Sequence, residues 1–298
     1  MNIAIQTIVN AKVKHTSSIS FQSIPSSSTR MRLSDDRVIL NKIKPLDKIL
    51  FSVDNTSFYM ICCPSGAFTI GADDQDDNPK RTKQIKQSFL LGETEVTQEL
   101  YDAVMGYNPS RFKDDSKNPV EQVTWFDAVM FCNKLSQSLG KTPYYLVSKI
   151  KFLEEWTDRG QKKTNNIESA DVEINPNANG FRLPTEREWE YAAKAGTENK
   201  WAGCDRGDDL KDYGWFSVNS GDTTHPVKNK KPNEWGFYDM SGNIQEWVWD
   251  KASNTWALRF LRGGGWYNEA SSLQSAARAY YSPDSRDYGL GFRVSASL

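Results

Sequence analysis

Apolar residues recur with a helical period between residues 124 and 140. Six of them follow the spacing i, i+3, i+4, i+7, i+10 and i+14: Trp125, Ala128, Val129, Cys132, Leu135 and Leu139. This spacing places side chains on one face of an α-helix. Thr124 before it and Gly140 after it are residue types that favour the two ends of a helix. The pattern predicts a helix that buries Cys132 as a small apolar residue rather than as a reactive thiol.

Two further segments have helix boundaries that their residue types indicate. Thr97 and Gly106 enclose one of them, as an N-cap and as a residue just past the C-terminus. In the other, Thr185 and Glu188 form the T-x-x-E pattern of a capping box, in which each satisfies a free backbone donor of the other. Gly196 is expected to terminate this helix. We therefore predict two or three helices and no helix after residue 200.

The rest of the chain has short apolar runs separated by turn-forming residues. Residues 68–70, before Gly71, and residues 89–91, before Gly92, are typical of short strands. After residue 200, Trp, Gly, Asn and Asp recur without a helical or strand period. Few helices together with short, irregular strands and much loop predict an α+β fold.

The first 56 residues differ from the remainder. They include the Ser-rich stretch HTSSISFQSIPSSSTR, which is typical of a turn-rich or disordered segment. The following stretch, DDRVILNKIKPLDKILFSV, has room for one or two short strands. We divide the chain into an N-terminal extension or small subdomain, residues 1–56, and one main domain, residues 57–298.

Charge and hydropathy argue against two classes of protein. The chain has 298 residues, of which 37 are Lys or Arg and 38 are Asp or Glu, without the clustered positive charge of a nucleic-acid-binding protein. No apolar stretch approaches the roughly 20 residues of a transmembrane helix. The first residues lack the apolar core and cleavage site of a signal peptide. We expect a soluble, monomeric chain as given, and export stays open because a signal can be removed.

The chain contains few groups suited to metal or nucleophilic chemistry. Its cysteines have no metal-ligand spacing, and its two histidines, His15 and His225, lie far apart in the sequence. A histidine-based zinc or iron site, or a Cys–His nucleophile pair, is therefore difficult to assemble. The spacing of Cys62, Cys63 and Cys204 does not predict a disulfide framework.

Seven segments between about residue 60 and residue 298 resemble, in order, the formylglycine-generating-enzyme-like, or sulfatase-modifying-factor, family. They are GAFTIGA, ETEVTQELYDAVM, PVEQVTWFDAVMFCNKLS, GFRLPTEREWEYAAKAG, NEWGFYDMSGNIQEWVWD, RGGGWY and GLGFRV. The resemblance implies an elaborated C-type lectin fold. It also implies that the first and last strands of the domain pair and that the long tail folds over the core. Activity needs a separate argument, because it depends on the site rather than on the fold.

The enzymatic branches of this family use groups that this chain lacks. The sulfatase-activating enzymes oxidise a substrate cysteine with two cysteines of the segment after RGG, and the matching positions here hold Asn268 and Leu273. An amide and an isobutyl group supply neither a thiolate ligand nor a redox centre. The iron-dependent sulfoxide synthases need a set of histidines that is also missing. We therefore expect a protein that is not an enzyme.

The tail, residues 262–298, resembles a second group with this fold, the Treponema-type variable proteins of diversity-generating retroelements. In that group a reverse transcriptase rewrites adenines, chiefly in Asn codons, while frame residues stay constant. The frame implied here is Arg262, Gly263, Gly264, Trp266, Ala270, Arg278, Pro283, Asp284, Arg286, Gly291, Phe292 and Arg293. The implied variable, ligand-binding positions are Tyr267, Asn268, Ser271, Ser272, Ala277, Ala279, Tyr280, Tyr281, Ser282, Ser285, Asp287, Tyr288 and Gly289.

All of these variable positions hold residues that an AAC codon reaches by changes at adenines alone, whereas Glu269 does not. Tyrosine offers a large, rigid contact area with few rotors, and Ser, Asn and Gly adapt around it, as in antibody paratopes. We expect four tyrosines to anchor the contact: Tyr267, Tyr280, Tyr281 and Tyr288. The alternative is an ordinary polar loop with half-buried tyrosines.

The loop DMSGNIQEW matches a position where members of the family hold calcium. The resemblance gives Asp239 and Glu246 as carboxylate ligands, with the carbonyls of Gly242 and Ile244 completing the shell. Calcium binds about six to eight oxygens of this mixed kind. A loop held by carboxylate-to-backbone hydrogen bonds without an ion is the alternative, and both stay open at this point. We expect no cofactor to be required beyond a structural Ca²⁺ at this loop.

Three hypotheses of function follow. In the first, which we expect, a non-catalytic receptor- or adhesin-type protein binds a protein or glycan ligand through the variable face, at the cell surface or outside the cell. In the second, an oxidoreductase of the family has an altered active site. In the third, a structural surface protein has a fixed tail.

Overall fold

The computed structural model describes residues 6–8, 43–157, 160–253 and 257–298. The Ser-rich stretch predicted to be turn-rich or disordered lies outside these residues, as does most of the predicted N-terminal extension. The described part of the chain contains three α-helices, two short 3-10 helices and fourteen strands.

The three helices begin at the predicted caps. They are α1 (Gln98–Met105), α2 (Trp125–Ser138) and α3 (Glu186–Lys194). Thr185 and Glu188 form the predicted capping box of α3, and α2 begins with a second capping box that the sequence analysis did not predict. Ala195, with a φ of 48°, closes α3 one residue before the expected Gly196.

The strands are short, with one exception. In chain order, β1 to β14 are Gln6–Ile8, Lys48–Val53, Thr56–Cys63, Gly66–Ile70, Arg81–Ile85, Phe89–Gly92, Tyr145–Thr157, Gly160–Ile174, Phe181–Arg182, Gln245–Lys251, Arg259–Arg262, Ala279–Tyr281, Leu290–Gly291 and Ser295–Ser297. The exception is the antiparallel hairpin of β7 and β8, of 13 and 15 residues. The sequence analysis did not predict it, because exposed apolar residues such as Leu146 and Phe152 leave no clear buried face.

A six-stranded sheet joins the two ends of the domain. Its order is β1-β2-β3-β6-β14-β9. The implied direct pairing of the first and last strands is wrong, because β6 pairs on both of its edges and separates β3 from β14. The predicted domain boundary between residues 56 and 57 falls inside the β2–β3 hairpin, so the sheet of the domain extends at least to Lys48.

Tryptophans occupy the core beneath the tail. Trp125 of α2 and Trp247 of β10 are fully buried. Their indole N–H groups donate to the carbonyl oxygens of Val248 and Val123, each at 3.0 Å, so burial leaves neither donor unpaired. Cys132 is fully buried on the inner face of α2, as predicted. These packed, paired side chains fix β10, on which the tail lies.

A four-stranded sheet carries the tail. Its order is β12-β11-β10-β13, and β10 pairs antiparallel with β11 and parallel with β13. The edge strand β12 places Tyr280 opposite Phe260 and Tyr281 opposite Arg259. The tail therefore joins this sheet at β12 and again at β13, and strands fix both ends of the loop between them.

Candidate ligand-binding site

Buried arginines hold the tail to the scaffold. Arg262 and Arg293 are only 1% and 0% exposed. The Arg262 guanidinium donates through Nη2 to Glu190 Oε2 at 2.6 Å, and Arg278 donates through Nη2 to Glu186 Oε2 at 2.8 Å. A buried charge needs a partner, so each pair defines where one part of the tail lies on α3.

The loop between β12 and β13 is held through its backbone. The Trp125 N–H donates to the carbonyl oxygen of Pro283 at 2.9 Å, and the Gln122 N–H donates to that of Asp287 at 3.0 Å. Neither bond uses a side chain of the tail. The frame residue Arg286 adds a side-chain hydrogen bond, from its Nη1 to Asn166 Oδ1 at 3.2 Å, so the loop is held by its backbone together with a residue of the frame.

The predicted variable positions fall into three classes of solvent exposure. Six are exposed: Ser271, Ser272, Tyr280, Tyr281, Ser282 and Tyr288. Five are half-buried: Tyr267, Asn268, Ala279, Ser285 and Asp287. Two are buried: Ala277 and Gly289. All but these two reach solvent, in contrast to the buried arginines of the frame.

The two buried positions correct the prediction that they bind ligand. Ala277 is 7% exposed, and its carbonyl oxygen accepts a hydrogen bond from the buried Arg262. Gly289 packs against the ring of Tyr267, which a Cβ at this position would strike. A codon pattern indicates which positions change, and it carries no information on their depth.

Three of the four predicted anchors are exposed. Tyr280 is 55% exposed, and Tyr281 and Tyr288 are each 41% exposed. Tyr280 and Tyr281 are successive residues of an edge strand and so point to its opposite faces. The exposed rings are therefore distributed along this part of the tail rather than joined in one apolar patch.

The fourth anchor, Tyr267, supports this surface from within. It is half-buried, and its hydroxyl donates to Gln245 Oε1 at 3.0 Å. Burial raises the pKa of its phenol, and the nearby Asp287 and Tyr281 raise it further. Tyr267 therefore lies near two other predicted variable positions, Asp287 and Tyr281. Asn268 has a local role as well, since its Oδ1 accepts a hydrogen bond from the Gly265 N–H at 2.8 Å.

A loop outside the tail borders these residues, and the sequence analysis missed it. Residues 108–113, here called the Arg111 loop, follow α1. The guanidinium carbon of Arg111 lies 4.4 Å from the ring centroid of Tyr288, and the ring centroids of Phe112 and Trp266 lie 5.7 Å apart, edge to face. The Trp266 Nε1–H donates to the Tyr288 carbonyl oxygen at 3.1 Å. A polar, Pro-containing loop gives no sequence signal of contact with a segment so far along the chain.

A buried carboxylate holds the Arg111 loop in place. Glu121 is 0% exposed, and its Oε1 accepts hydrogen bonds from the N–H groups of Arg111 (2.5 Å) and Phe112 (2.9 Å). Its Oε2 has no partner among the described residues. Burial raises the pKa of Glu121 to about 7, although the two backbone hydrogen bonds act to lower it. The loop backbone is therefore fixed while the Arg111 side chain is exposed.

The predicted calcium ligands do not fit a calcium shell. The predicted set was Asp239, Gly242, Ile244 and Glu246. Glu246 already accepts from Arg293 Nη2 (2.6 Å) and Nε (2.7 Å) and from Trp189 Nε1 (2.8 Å). Asp239 Oδ2 accepts from the Lys228 N–H at 2.9 Å, and burial raises its pKa to about 6. In the part of the chain that the structure describes, no group of three or more His, Cys, Asp or Glu side chains suits a metal ion.

The cysteines do not have the environment of reactive thiols. All four are buried and free. Burial raises the pKa of Cys62 and of Cys204 to about 11, and it also raises the pKa of Cys63 and of Cys132. Leu273, at the position of a family cysteine, is fully buried in an apolar cluster with Cys204. Reactive cysteines have a lowered pKa, so these surroundings oppose thiolate chemistry.

The chain belongs to the family of the sulfatase-modifying factor enzyme 1-like domain. The model of this family matches residues 52–298. The predicted fold class, an α+β, formylglycine-generating-enzyme-like C-type lectin fold with few helices, is confirmed. No helix among the described residues has the length and apolar character that a membrane span requires.

Three similar proteins represent different members of this family or fold. Treponema denticola variable protein 1 has a TM-score of 0.74 and 36% identity, covering 84% of this chain and 98% of that one. Chaperone protein LppX of Paenibacillus barcinonensis is 40% identical over 215 residues, which are 64% of this chain and 73% of LppX. The formylglycine-generating enzyme of Streptomyces coelicolor is 34% identical over 149 residues, 38% of this chain and 46% of the enzyme. The predicted resemblance to the enzyme family and to variable proteins is thereby confirmed.

Proposed function

We propose that this protein is a non-catalytic ligand-binding protein whose tail displays a changeable contact surface on a constant C-type lectin scaffold. The observation that carries the proposal is the contrast within the tail between buried, paired frame residues and exposed tyrosines and serines. Side chains that face water, on a backbone held by other elements, can change without loss of the fold. Similarity to Treponema denticola variable protein 1 supports this function.

The binding test compares the full chain with two triple variants. One variant replaces the exposed tyrosines (Tyr280→Ser, Tyr281→Ser and Tyr288→Ser). The matched control replaces three exposed apolar residues elsewhere, which are 50%, 47% and 60% exposed (Leu146→Ser, Ile174→Ser and Val218→Ser). The probes are arrays of purified cell-surface proteins and of glycans. The tyrosine variant is expected to lose at least about tenfold in affinity, as aromatic hot spots do, with an unchanged Tm, whereas equal binding by both variants contradicts the proposal.

The proposed diversification has a genomic test. If a retroelement rewrites the tail, a near-copy of its coding sequence lies nearby, differs mainly at adenines and accompanies a reverse transcriptase gene. The tail is then expected to differ between isolates at Tyr280 and Tyr288 but not at Arg262 or Arg293. A locus without such a near-copy favours a structural surface protein with a fixed tail.

The proposed lack of catalysis rests on the groups at the family's active site. Asn268 and Leu273 stand where the enzymes have cysteines, and burial raises the pKa of the remaining thiols. Thiol-dependent oxygen consumption with a cysteine-containing sulfatase-type peptide is expected to stay at background. Turnover would support the alternative of an oxidoreductase with an altered active site.

A second candidate function is that of a chaperone, which the 40% identity to chaperone protein LppX favours. The same exposed tyrosines would then contact unfolded client proteins rather than one folded ligand. Heat-induced aggregation of citrate synthase in the presence of the full chain separates the two functions. Suppression of aggregation that the tyrosine variant lacks favours the chaperone.

The proposed location is the cell surface or the extracellular space, where a changeable surface meets ligands of other cells or phage. Protease treatment of intact cells of the source organism is expected to remove the protein. Protection in intact cells, with digestion after lysis, contradicts this location.

A further inference from the structure

We infer that Arg111 is a constant anchor of the contact surface and pairs with the carboxylate of an acidic side chain on a protein ligand. This inference rests on the proposed function, because it names a class of partner for the same surface. It adds a residue from outside the tail to the tyrosines that the tail supplies.

The Arg111 guanidinium is placed beside the variable surface and left available. Its carbon lies 4.4 Å from the Tyr288 ring centroid and 5.9 Å from that of Phe112. The side chain is exposed, and none of the ion pairs of the described residues includes it. Other exposed cations near carboxylates do form pairs, such as Lys117 with Glu99.

The surroundings of Arg111 hold it in one orientation. Glu121 Oε1 fixes the N–H groups of Arg111 and Phe112, and Phe112 packs edge-on against Trp266. Stacking on Tyr288 then limits the rotation of the guanidinium itself. A long side chain that is ordered before binding loses less entropy when a ligand arrives.

The chemistry of a stacked guanidinium favours a carboxylate. Its planar fork of donors matches the two oxygens of a carboxylate, and stacking on an aromatic face leaves the edge donors free. Arg and Tyr are also the residue types that dominate protein–protein hot spots. The exposed Arg111 and Tyr288, in contact with each other, therefore favour an acidic protein surface over a glycan.

Diversification at residue 288 would regulate this anchor. An AAC codon reaches Asp as well as Tyr by changes at adenines, and an aspartate there would lie beside the guanidinium. Arg111 would then pair within the chain, and the preference for acidic ligands would disappear. Tyr288→Asp is therefore an informative variant as well as an accessible one.

The test uses a phage-displayed library of random 12-residue peptides, selected against the full chain. Synthetic copies of the enriched peptides are then titrated against the wild-type protein and against Arg111→Ala, Arg111→Lys, Tyr288→Asp and Arg206→Ala. We expect enriched peptides to share an Asp or Glu, and Arg111→Ala and Tyr288→Asp to weaken binding at least about tenfold. Arg111→Lys is expected to restore part of the affinity. Arg206→Ala, which removes an exposed arginine outside the Arg111 loop and the tail, is expected to bind as the wild type does.

A double-mutant cycle shows whether the two groups interact directly. Replacing the acidic residue of the peptide by its amide is expected to weaken wild-type binding and to leave Arg111→Ala unaffected. If Tyr280→Ser weakens the peptides while Arg111→Ala does not, the inference is overturned and the proposed function stands. If neither variant changes the binding, both are overturned. Binding confined to sialylated or uronate glycans, with dependence on Arg111, would overturn the choice of a protein ligand.

Discussion

Two consecutive parts of the tail, residues 279–288 and residues 290–297, differ in how the scaffold holds them. In the second part, the backbone pairs with β10, β6 and β9, and the side chains of Phe292 and Arg293 are fully buried as well. In the first, Tyr280 and Tyr288 are exposed, and the scaffold bonds mainly to backbone carbonyls, with the Arg286 side chain as a further contact. The comparison teaches that exposed side chains should tolerate substitution where the scaffold holds a segment mainly through its backbone.

The change between the two parts takes place at Gly289. Its carbonyl oxygen accepts from the Gln245 N–H at 2.7 Å, which begins the pairing of β13 with β10. Just before this point, in residues 280–288, several side chains are exposed, and after it β13 and β14 belong to the two sheets. A change in the first part should therefore alter binding, and a change in the second should alter stability.

The largest effect is expected at the buried pair of Arg293 and Glu246. Arg293→Ala removes the charged partner of the buried Glu246 and leaves only the Trp189 N–H to bond its carboxyl group, which we expect to lower the free energy of unfolding by about 3–5 kcal/mol. The free energy of unfolding is measured by guanidinium chloride titration. The matched control is the double variant Arg293→Met with Glu246→Leu, which removes both charges and should cost less. A loss below about 1 kcal/mol for Arg293→Ala would remove the contrast between the two parts.

A smaller effect is expected from Gly264→Ala, in the frame that precedes both parts. Gly264 has a φ of 67°, and a Cβ there would lie 2.7 Å from Leu273 Cδ1. We expect strain and steric overlap to cost about 2–3 kcal/mol in the free energy of unfolding. Gly221→Ala is the control, because Gly221 has a φ of 64° and no atom within 4 Å of the added Cβ. Equal losses in the two variants would mean that packing beneath the tail is not tight.

Glu121 should make stability depend on pH. Its pKa in the folded protein is about 7, above the ordinary value near 4.5, so between these values the folded state keeps a proton that the unfolded state releases. Its contribution to stability is therefore complete below about pH 4.5 and is lost as the pH rises through 7, by up to about 3 kcal/mol. Asp287 and Lys113 face the same carboxyl and act in opposite directions on its pKa.

The measurement compares the wild type with Glu121→Gln by urea titration at about pH 4.5 and pH 8. Between pH 4.5 and pH 8, the free energy of unfolding should fall further in the wild type than in Glu121→Gln, because the amide does not titrate. Identical pH dependence of the two proteins would show that Glu121 is not the titrating group under the Arg111 loop.

The smallest effect on stability is expected at the exposed tyrosines. Tyr280→Ser and Tyr281→Ser should each change the free energy of unfolding by less than about 0.5 kcal/mol, as surface substitutions usually do, while they change binding. Thermal unfolding followed by circular dichroism tests this expectation. A Tm decrease of more than about 5 °C would mean that these side chains serve the fold.

Some parts of the structure were predictable because they depend on neighbours in the sequence. Thr124 and Thr185 cap their helices through residues only three positions away. The Arg111 loop and the pair of Glu246 with Arg293 were not predictable, since they join residues separated by long stretches of chain. The long β7–β8 hairpin was missed for a different reason, because its apolar residues are distributed over exposed positions.

The sequence by itself determined the family, the helix caps, the lack of cysteines at the family's catalytic positions and the candidate positions of change in the tail. These follow from residue identities and short-range spacing. Only the tertiary structure decided which of those positions face water and that Ala277 and Gly289 do not. It also decided that Arg293 pairs with Glu246, a predicted calcium ligand, and that Arg111 lies beside Tyr288. Depth and charge pairing depend on how distant segments pack, and no local pattern carries that information.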